Sequence, residues 1–285
     1  MTELMQRILP TVQKPARYTG GEWGEIKKDL KDVRVRVAFC FPDTYEIGMS
    51  NLGMRILYGV MNGMDGVWCE RVFAPWGDME QAMRDNSLPL WTLESQTPVR
   101  EFDMIAFTIG YEMAYSNILN MLNLAGVPLR SKDRQGLKNI VFAGGVCAFN
   151  PEPLADFIDF FSLGEGEDIT VEILQLYDRA KAEGWSKDAF LHEAAKIPGV
   201  YVPGFYRHEY NANGTLAAIV PLEGVPQTVT KRIIEDLDNA YFPTKMIVPS
   251  TEIVHDRANL EVFRGCIRGC RFCQAGFLYR PMRQR

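Results

Sequence analysis

The chain has 285 residues, of which 47% are hydrophobic and 24% are charged, and its formal net charge is −5. This balance is typical of a globular protein with one or two domains, and it argues against a disordered chain or one that binds nucleic acid through its overall charge. Residues 1–7 lack an apolar core and no apolar run is long enough to span a bilayer, so we expect a cytoplasmic protein without a membrane partner.

The first segment predicts an arm that lies outside the main domain. A short helix is expected over residues 3–8, and Pro10 and Pro15 prevent it from continuing. A turn at Gly20-Gly21 follows, and a second short helix is expected over residues 23–30. We therefore assign residues 1–30 to an N-terminal arm.

Residues 31–197 alternate between apolar strand patterns and amphipathic helix patterns. Strands are predicted over residues 33–41, 67–73, 90–93, 103–109, 139–143 and 157–162. Helices are predicted over residues 51–62, 78–84, 114–125, 168–182 and 187–196. Such alternation predicts an α/β domain with a parallel, doubly wound sheet.

After residue 197 the pattern changes to strands, prolines and a cysteine-rich loop. Residues 199–210 and 215–220 predict a β-hairpin, and the proline-rich segment up to residue 250 completes a linker over residues 198–250. A strand over residues 258–263 is expected to lead into the loop, so that residues 251–285 begin a further domain. Only twelve residues follow the last cysteine, so we expect this domain to be incomplete and the chain to be an amino-terminal fragment.

Three of the six cysteines, Cys266, Cys270 and Cys273, form a Cys-x3-Cys-x2-Cys pattern. Thiolates are soft ligands that suit zinc or iron–sulfur clusters. A structural zinc ion usually takes four ligands, and the nearest histidine, His255, is separated from the loop by the predicted strand. Three thiolates therefore favour an iron–sulfur cluster with one open iron over zinc. The other cysteines are scattered, and we expect them to be small buried residues.

The cysteine pattern, with Phe272 directly before its last cysteine, resembles that of the radical S-adenosylmethionine (radical SAM) superfamily. The resemblance implies a 4Fe-4S cluster on Cys266, Cys270 and Cys273, whose open iron binds the amino and carboxylate groups of S-adenosylmethionine. Electron transfer from the cluster then cleaves the sulfonium bond and gives a 5′-deoxyadenosyl radical. The resemblance also places Phe272 near the adenine and implies an electron donor of the flavodoxin or ferredoxin type.

Segments upstream of the cysteines extend the resemblance over essentially the whole chain. They are similar to the amino-terminal domain of cobalamin-binding-type radical SAM proteins, in one uncharacterised branch. The segments are residues 17–22, residues 41–53, Gly144-Gly145, residues 151–156 and residues 164–167. The resemblance implies a cobalamin-binding or Rossmann-like sheet domain, a β-rich linker and the start of a partial (β/α) barrel.

Cobalamin domains often carry an Asp-x-His-x-x-Gly loop whose histidine binds cobalt. None of the three histidines of this chain lies in such a loop; they are His192, His208 and His255. Any cobalamin is therefore expected to bind without a histidine ligand. A sheet domain that only supports the barrel or recognises the substrate is the alternative.

Gly144 and Gly145 are candidates for contact with a ligand of the sheet domain. Ligands of doubly wound sheets bind at the carboxyl ends of the strands, and glycine lets the backbone approach them. A simple turn after a strand explains the same pair equally well. The acidic residues 164–167 are expected to cap the helix that follows them, because acidic side chains favour a helix amino terminus.

A radical SAM enzyme with an unknown substrate is the first functional hypothesis. The alternative is a cobalamin- or nucleotide-binding module with a structural metal site and no catalysis. A third hypothesis is RNA binding, because seven arginines but only two acidic residues lie between residues 256 and 285. Arginines around an anionic cluster or cofactor would produce the same bias without RNA.

Overall fold

The computed structural model of the protein describes residues 3–285 and is built around a six-stranded sheet. The strands are β1 (Val35–Phe41), β2 (Val67–Phe73), β3 (Met104–Thr108), β4 (Ile140–Gly144), β5 (Phe160–Ser162) and β6 (Val200–Tyr201). Their spatial order is β2-β1-β3-β4-β5-β6. The first five strands are parallel, and β6 is antiparallel to β5. The predicted α/β fold with a mostly parallel sheet is confirmed.

Helices cover both faces of this sheet. These helices belong to the set α1 (Glu3–Ile8), α2 (Tyr45–Gly48), α3 (Leu52–Asn62), α4 (Gly77–Asp85), α5 (Tyr115–Ala125), α6 (Gly166–Glu183) and α7 (Lys187–Ala194), and a further helix, α8 (Ala275–Leu278), lies near the end of the chain outside both cores. Helices α3, α6 and α7 share one core cluster with Val37 and Phe39 of β1. Helices α1, α4 and α5 share the other cluster with Ala38 and Cys40. Adjacent residues of β1 thus enter opposite cores, as the two-residue period of a strand requires.

The linker contains a hairpin of β7 (Tyr206–Tyr210) and β8 (Leu216–Pro221). After the linker, β9 (Phe263–Arg264) pairs with β10 (Arg283–Gln284) as a separate two-stranded sheet. The hairpin is confirmed, but its first strand begins later than predicted. Residues 200 and 201 instead form β6, so the main sheet reaches past residue 197. No helix among residues 3–285 has the length and apolar character needed to cross a membrane.

The predicted helix over residues 23–30 is wrong, because tertiary contacts hold the arm against the sheet. Glu22 is buried and accepts hydrogen bonds from the guanidinium group of Arg71 in β2 at 2.9 and 3.0 Å. Arg71 also pairs with buried Glu94 at 2.6 Å. A buried arginine requires such partners, and these contacts override the local preference for a helix.

Two predicted strands are much shorter in the structure than in the sequence-based assignment. The strand over residues 90–93 is a single bridge between Trp91 and Pro98. The strand over residues 258–263 is limited to β9, which pairs over two residues with β10. An apolar pattern becomes a strand only where a partner satisfies its backbone groups.

Candidate functional site

A cavity of about 420 Å³ opens at the carboxyl edge of the sheet, where β1, β3, β4 and β5 end. The strand order reverses between β1 and β3, and ligands of open α/β sheets bind at this reversal. The loop after β3 and the first turns of α3 and α6 complete the wall. The fold therefore forms a cavity at the place where its class binds ligands.

Gly144 and Gly145, the pair predicted to contact a ligand, both line this cavity. Gly145 has a φ of +101°, and a β-carbon there would lie 2.7 Å from the carbonyl oxygen of Ile109. Glycine is therefore needed at this position so that the loops after β3 and β4 can approach each other. A β-carbon at Gly144 would make only an ordinary contact at 3.5 Å. The close packing against Ile109 is enough to require glycine at position 145, whether or not a ligand is bound. Contact of Gly144 or Gly145 with a ligand stays a prediction.

Residues 164–167 lie at the amino terminus of α6, as expected, and they also connect the sheet domain to the cysteine-bearing segment. The carboxylate of Glu165 accepts hydrogen bonds from Arg283 at 2.7 Å, and Glu167 pairs with Arg264 at 2.5 Å. Among residues 3–285, the side chain of Glu165 makes no capping hydrogen bond to α6. Burial alone would raise the pKa of Glu165, but hydrogen bonds from Arg283 and a backbone N–H lower it below its usual value.

Strands β9 and β10 close the base of the loop that carries the three cysteines. Arg264 of β9 and Arg283 of β10 lie opposite each other in this pair, and both reach the carboxylates at the start of α6. Lys231 adds hydrogen bonds from its Nζ to the carbonyl oxygens of Leu278 and Arg280. Residues 265–282, which we call the cysteine loop, are thus held at their base against the sheet domain.

The three predicted cluster ligands are free thiols in the cysteine loop. Cys270 is exposed, Cys266 and Cys273 are half-buried, and the backbone N–H of Arg268 donates to the Sγ of Cys266 at 3.4 Å. Within residues 3–285, no three His, Cys, Asp or Glu side chains are grouped closely enough to hold a metal ion. The donor set nevertheless fits an iron–sulfur cluster, since all three thiols are accessible and none is in a disulfide. Cluster ligation by these cysteines stays a prediction.

The other three cysteines are buried, in agreement with the sequence-based expectation; they are Cys40, Cys69 and Cys147. Burial raises the pKa of Cys147 to about 11, and the neighbouring carboxylate of Glu112 adds to the effect. A thiol with such a pKa is protonated at neutral pH and is neither a nucleophile nor a ready metal ligand. The structure therefore separates three inert cysteines from three accessible ones.

Two aromatic residues of the cysteine loop have different surroundings. Phe272 is 93% exposed, and its placement near an adenine stays a prediction. Tyr279 lines the sheet cavity, a contact that no sequence pattern indicated. Because Tyr279 lies six residues after Cys273, the cysteine loop forms part of the cavity wall.

The arginine-rich segment is only partly available to a partner. Glutamates pair with three of its seven arginines, namely Arg264, Arg283 and Arg285. Burial alone would lower the pKa of Arg264, but Glu261 and Glu167 raise it above its usual value. The remaining four are exposed; they are Arg257, Arg268, Arg271 and Arg280. RNA binding stays a prediction that only these four exposed arginines now support.

A tyrosine stands where a cobalt-binding histidine would be expected. Asp43-x-Tyr45-x-x-Gly48 has the spacing of the Asp-x-His-x-x-Gly loop. Tyr45 is buried and donates a hydrogen bond to Glu22 at 2.8 Å, and burial raises its pKa so that it stays protonated. In the part of the chain that the structure describes, neither Tyr45 nor a histidine lines the cavity. The residues present therefore do not fit cobalamin held by a protein ligand to cobalt.

Comparison with known proteins places the sheet domain in a family. A family model for the amino-terminal region of radical SAM proteins matches residues 53–203, which is more than half of the chain. Over 255 residues the chain is 25% identical to an uncharacterized protein of Methanocaldococcus jannaschii, and the alignment covers 87% of this chain and 43% of that protein. The chain thus spans less than half the length of the curated relative that it matches. The family match covers β2 to β6 and ends before the cysteine loop.

Proposed function

Because the chain belongs to the radical SAM proteins that carry this amino-terminal domain, we propose that it is an iron–sulfur protein that starts radical chemistry by reductive cleavage of S-adenosylmethionine. The observation that carries the proposal is the loop of three free thiols at Cys-x3-Cys-x2-Cys spacing, which is docked on the sheet domain. The proposal concerns the activity of the whole protein, since the chain spans less than half of the relative's length.

Cys266, Cys270 and Cys273 would hold the cluster. When bound there, a 4Fe-4S cluster supplies an electron and one iron that is free to bind S-adenosylmethionine. The chain's own residues prepare the loop for this role. The N–H of Arg268 already points at the Sγ of Cys266, and donors of this kind stabilise thiolate charge. Exposed Phe272 is available to lie against the adenine.

The sheet domain would position the cysteine loop and exclude water from one side of it. Arg264 and Arg283 fix the base of the loop to Glu165 and Glu167, and Tyr279 places the loop over the cavity. The exposed arginines of the loop suit an acidic electron carrier of the flavodoxin or ferredoxin type, because complementary charge speeds the encounter of proteins. An electron donor would approach the loop from the side that carries these exposed arginines.

Anaerobic reconstitution with iron and sulfide tests ligation by the cysteines. We expect the chain to bind iron and acid-labile sulfide and to gain broad visible absorbance. The triple variant Cys266→Ser/Cys270→Ser/Cys273→Ser should lose both signals. Cys147→Ser, a substitution at a buried thiol outside the loop, should retain them. Tight zinc binding without iron uptake would contradict the proposal and favour a binding module with a structural metal site.

Cleavage of S-adenosylmethionine needs its own measurement. The reconstituted protein is mixed with S-adenosylmethionine and a low-potential reductant, and 5′-deoxyadenosine is measured by chromatography. We expect 5′-deoxyadenosine from the reconstituted full-length protein and none from its triple variant. Cluster assembly without this product in the full-length protein contradicts reductive cleavage while leaving the ligand assignment intact.

A further inference from the structure

The sheet cavity differs from a typical anion site because its wall is uncharged. Among residues 3–285, no Asp, Glu, Lys, Arg or His lines it. Apolar side chains such as Phe39, Leu57 and Phe142 form much of the surface. Burying an ionised ligand group without a charged partner is costly. The wall therefore offers no charged side chain to pair with an ionised group of a ligand.

Two buried hydroxyl groups in this wall have no partner in the protein. Ser162 and Thr170 are each only 5% exposed, and both line the cavity. Within the described residues 3–285, neither hydroxyl takes part in a hydrogen bond. Both hydroxyl oxygens keep some accessible surface, and both residues belong to the cavity wall. The two hydroxyls are therefore available to donate hydrogen bonds to, or accept them from, a molecule in the cavity.

Backbone, rather than side chain, forms a large part of the remaining wall. The cavity-lining glycines are Gly53, Gly110, Gly144, Gly145, Gly164 and Gly166. Exposed peptide planes present a smooth surface together with N–H and C=O groups that a flat ring can approach closely. The volume of about 420 Å³ lies within the range of small-molecule sites.

We propose that this cavity binds an uncharged, flat heteroaromatic molecule of nucleoside size, whose hydrogen-bonding groups meet Ser162 and Thr170. The apolar side chains hold its ring, and the two hydroxyls select for ring substituents that donate or accept hydrogen bonds. This assignment stands apart from the cysteine chemistry, because none of its ligand-contacting groups is a cysteine.

Tyr279 belongs to both the cavity wall and the cysteine loop, so ligand binding in the cavity is coupled to the position of the loop. Tyr279 lines the cavity, and Lys231 donates hydrogen bonds to the carbonyl oxygens of the residues on either side of it, Leu278 and Arg280. A ligand that contacts Tyr279 adds a contact between the sheet domain and the loop. Ligand binding should therefore protect backbone amides of the loop from hydrogen exchange.

Isothermal titration with adenosine tests the ligand class, and adenosine 5′-monophosphate serves as the charged counterpart. Adenosine should bind, and the monophosphate should bind no more tightly. Ser162→Ala and Thr170→Val should each weaken adenosine binding roughly five- to tenfold, the effect of one neutral hydrogen bond. Tighter binding of the monophosphate, or absence of adenosine binding, overturns the proposal.

A cavity-filling variant tests the location. Gly110 lines the cavity and a β-carbon there would meet no atom within 4 Å, so Gly110→Trp adds an indole at the cavity wall without a clash of its β-carbon. It should weaken binding at least tenfold. Gly204→Trp is the matched control, because Gly204 is equally unobstructed and lies outside the cavity wall. Unchanged affinity in Gly110→Trp would place the adenosine elsewhere and refute the assignment.

The triple cysteine variant separates this proposal from the radical SAM proposal. It should bind adenosine with wild-type affinity although it holds no iron. Loss of adenosine binding in this variant would show that the probe sits at the cysteine loop rather than in the cavity. Thermal unfolding of each variant, followed by circular dichroism, confirms that a weaker affinity does not arise from misfolding.

Discussion

Removing the charge of Glu165 should release the cysteine loop from the sheet domain. Both of its carboxylate oxygens accept from Arg283 at 2.7 Å, and the two side chains are only 14% and 11% exposed. Breaking a fully buried pair costs about 3–5 kcal/mol, whereas an exposed pair contributes about 0–1 kcal/mol. For this partly buried pair we expect Glu165→Gln to cost about 2 kcal/mol, which raises the population of the released loop about thirtyfold.

Hydrogen exchange measured by mass spectrometry checks this value on peptides that cover residues 263–285. Their exchange should accelerate about thirtyfold in Glu165→Gln, while peptides from β1 to β5 should keep wild-type rates. Glu172→Gln is the matched control, because Glu172 lies on the same helix and pairs with Arg232 in a more exposed position. Equal exchange of the loop in the two variants would refute the docking role of Glu165.

Three further predictions concern the pH dependence of the Glu165 contact, the buried Arg71 and the pair Gly144-Gly145. Since the folded pKa of Glu165 is lowered, its contribution is complete above the unfolded value of about 4.3 and is lost as pH falls through the lowered value; urea unfolding should therefore show a difference between wild type and Glu165→Gln at about pH 7 that shrinks as the pH falls below about 4, and a difference that stays constant with pH contradicts this. Arg71→Met leaves two carboxylates buried without their partner, and urea unfolding should show a loss of about 3–5 kcal/mol; a loss below about 1 kcal/mol contradicts this. Gly145→Ala should cost about 2 kcal/mol in the same assay, whereas Gly144→Ala should cost under about 1 kcal/mol, and equal losses would count against the packing argument.

The sheet could be predicted from the sequence because its signals are local. Five of the seven residues of Val67–Phe73 are apolar, and the predicted bounds match β2. Helix α3 was indicated by apolar residues at helical spacing, and Asn51 caps it through a hydrogen bond to the N–H of Met54. Periodicity and caps act over a few residues, so sequence alone is sufficient to place these elements.

Features that depend on distant partners escaped prediction. Glu22 holds the arm in place through Arg71, which lies 49 residues further along the chain. Glu165 meets Arg283 across 118 residues, so its neighbours suggested a helix cap and not a docking contact. The cysteine spacing identified candidate ligands, but the contact of Tyr279 with the cavity depends on tertiary docking that no local pattern encodes.

The docking contacts also explain how an uncharged cavity exists beside a cluster of ionised groups. Glu165 and Glu167 lie at the positive end of the α6 dipole, which favours their carboxylates there. Arg264 and Arg283 pair with these carboxylates on the side of the cysteine loop, and all four side chains lie outside the cavity wall. Each charge is therefore balanced by a neighbour instead of being directed into the cavity. This arrangement keeps charged side chains out of the cavity wall while it holds the base of the cysteine loop at the start of α6.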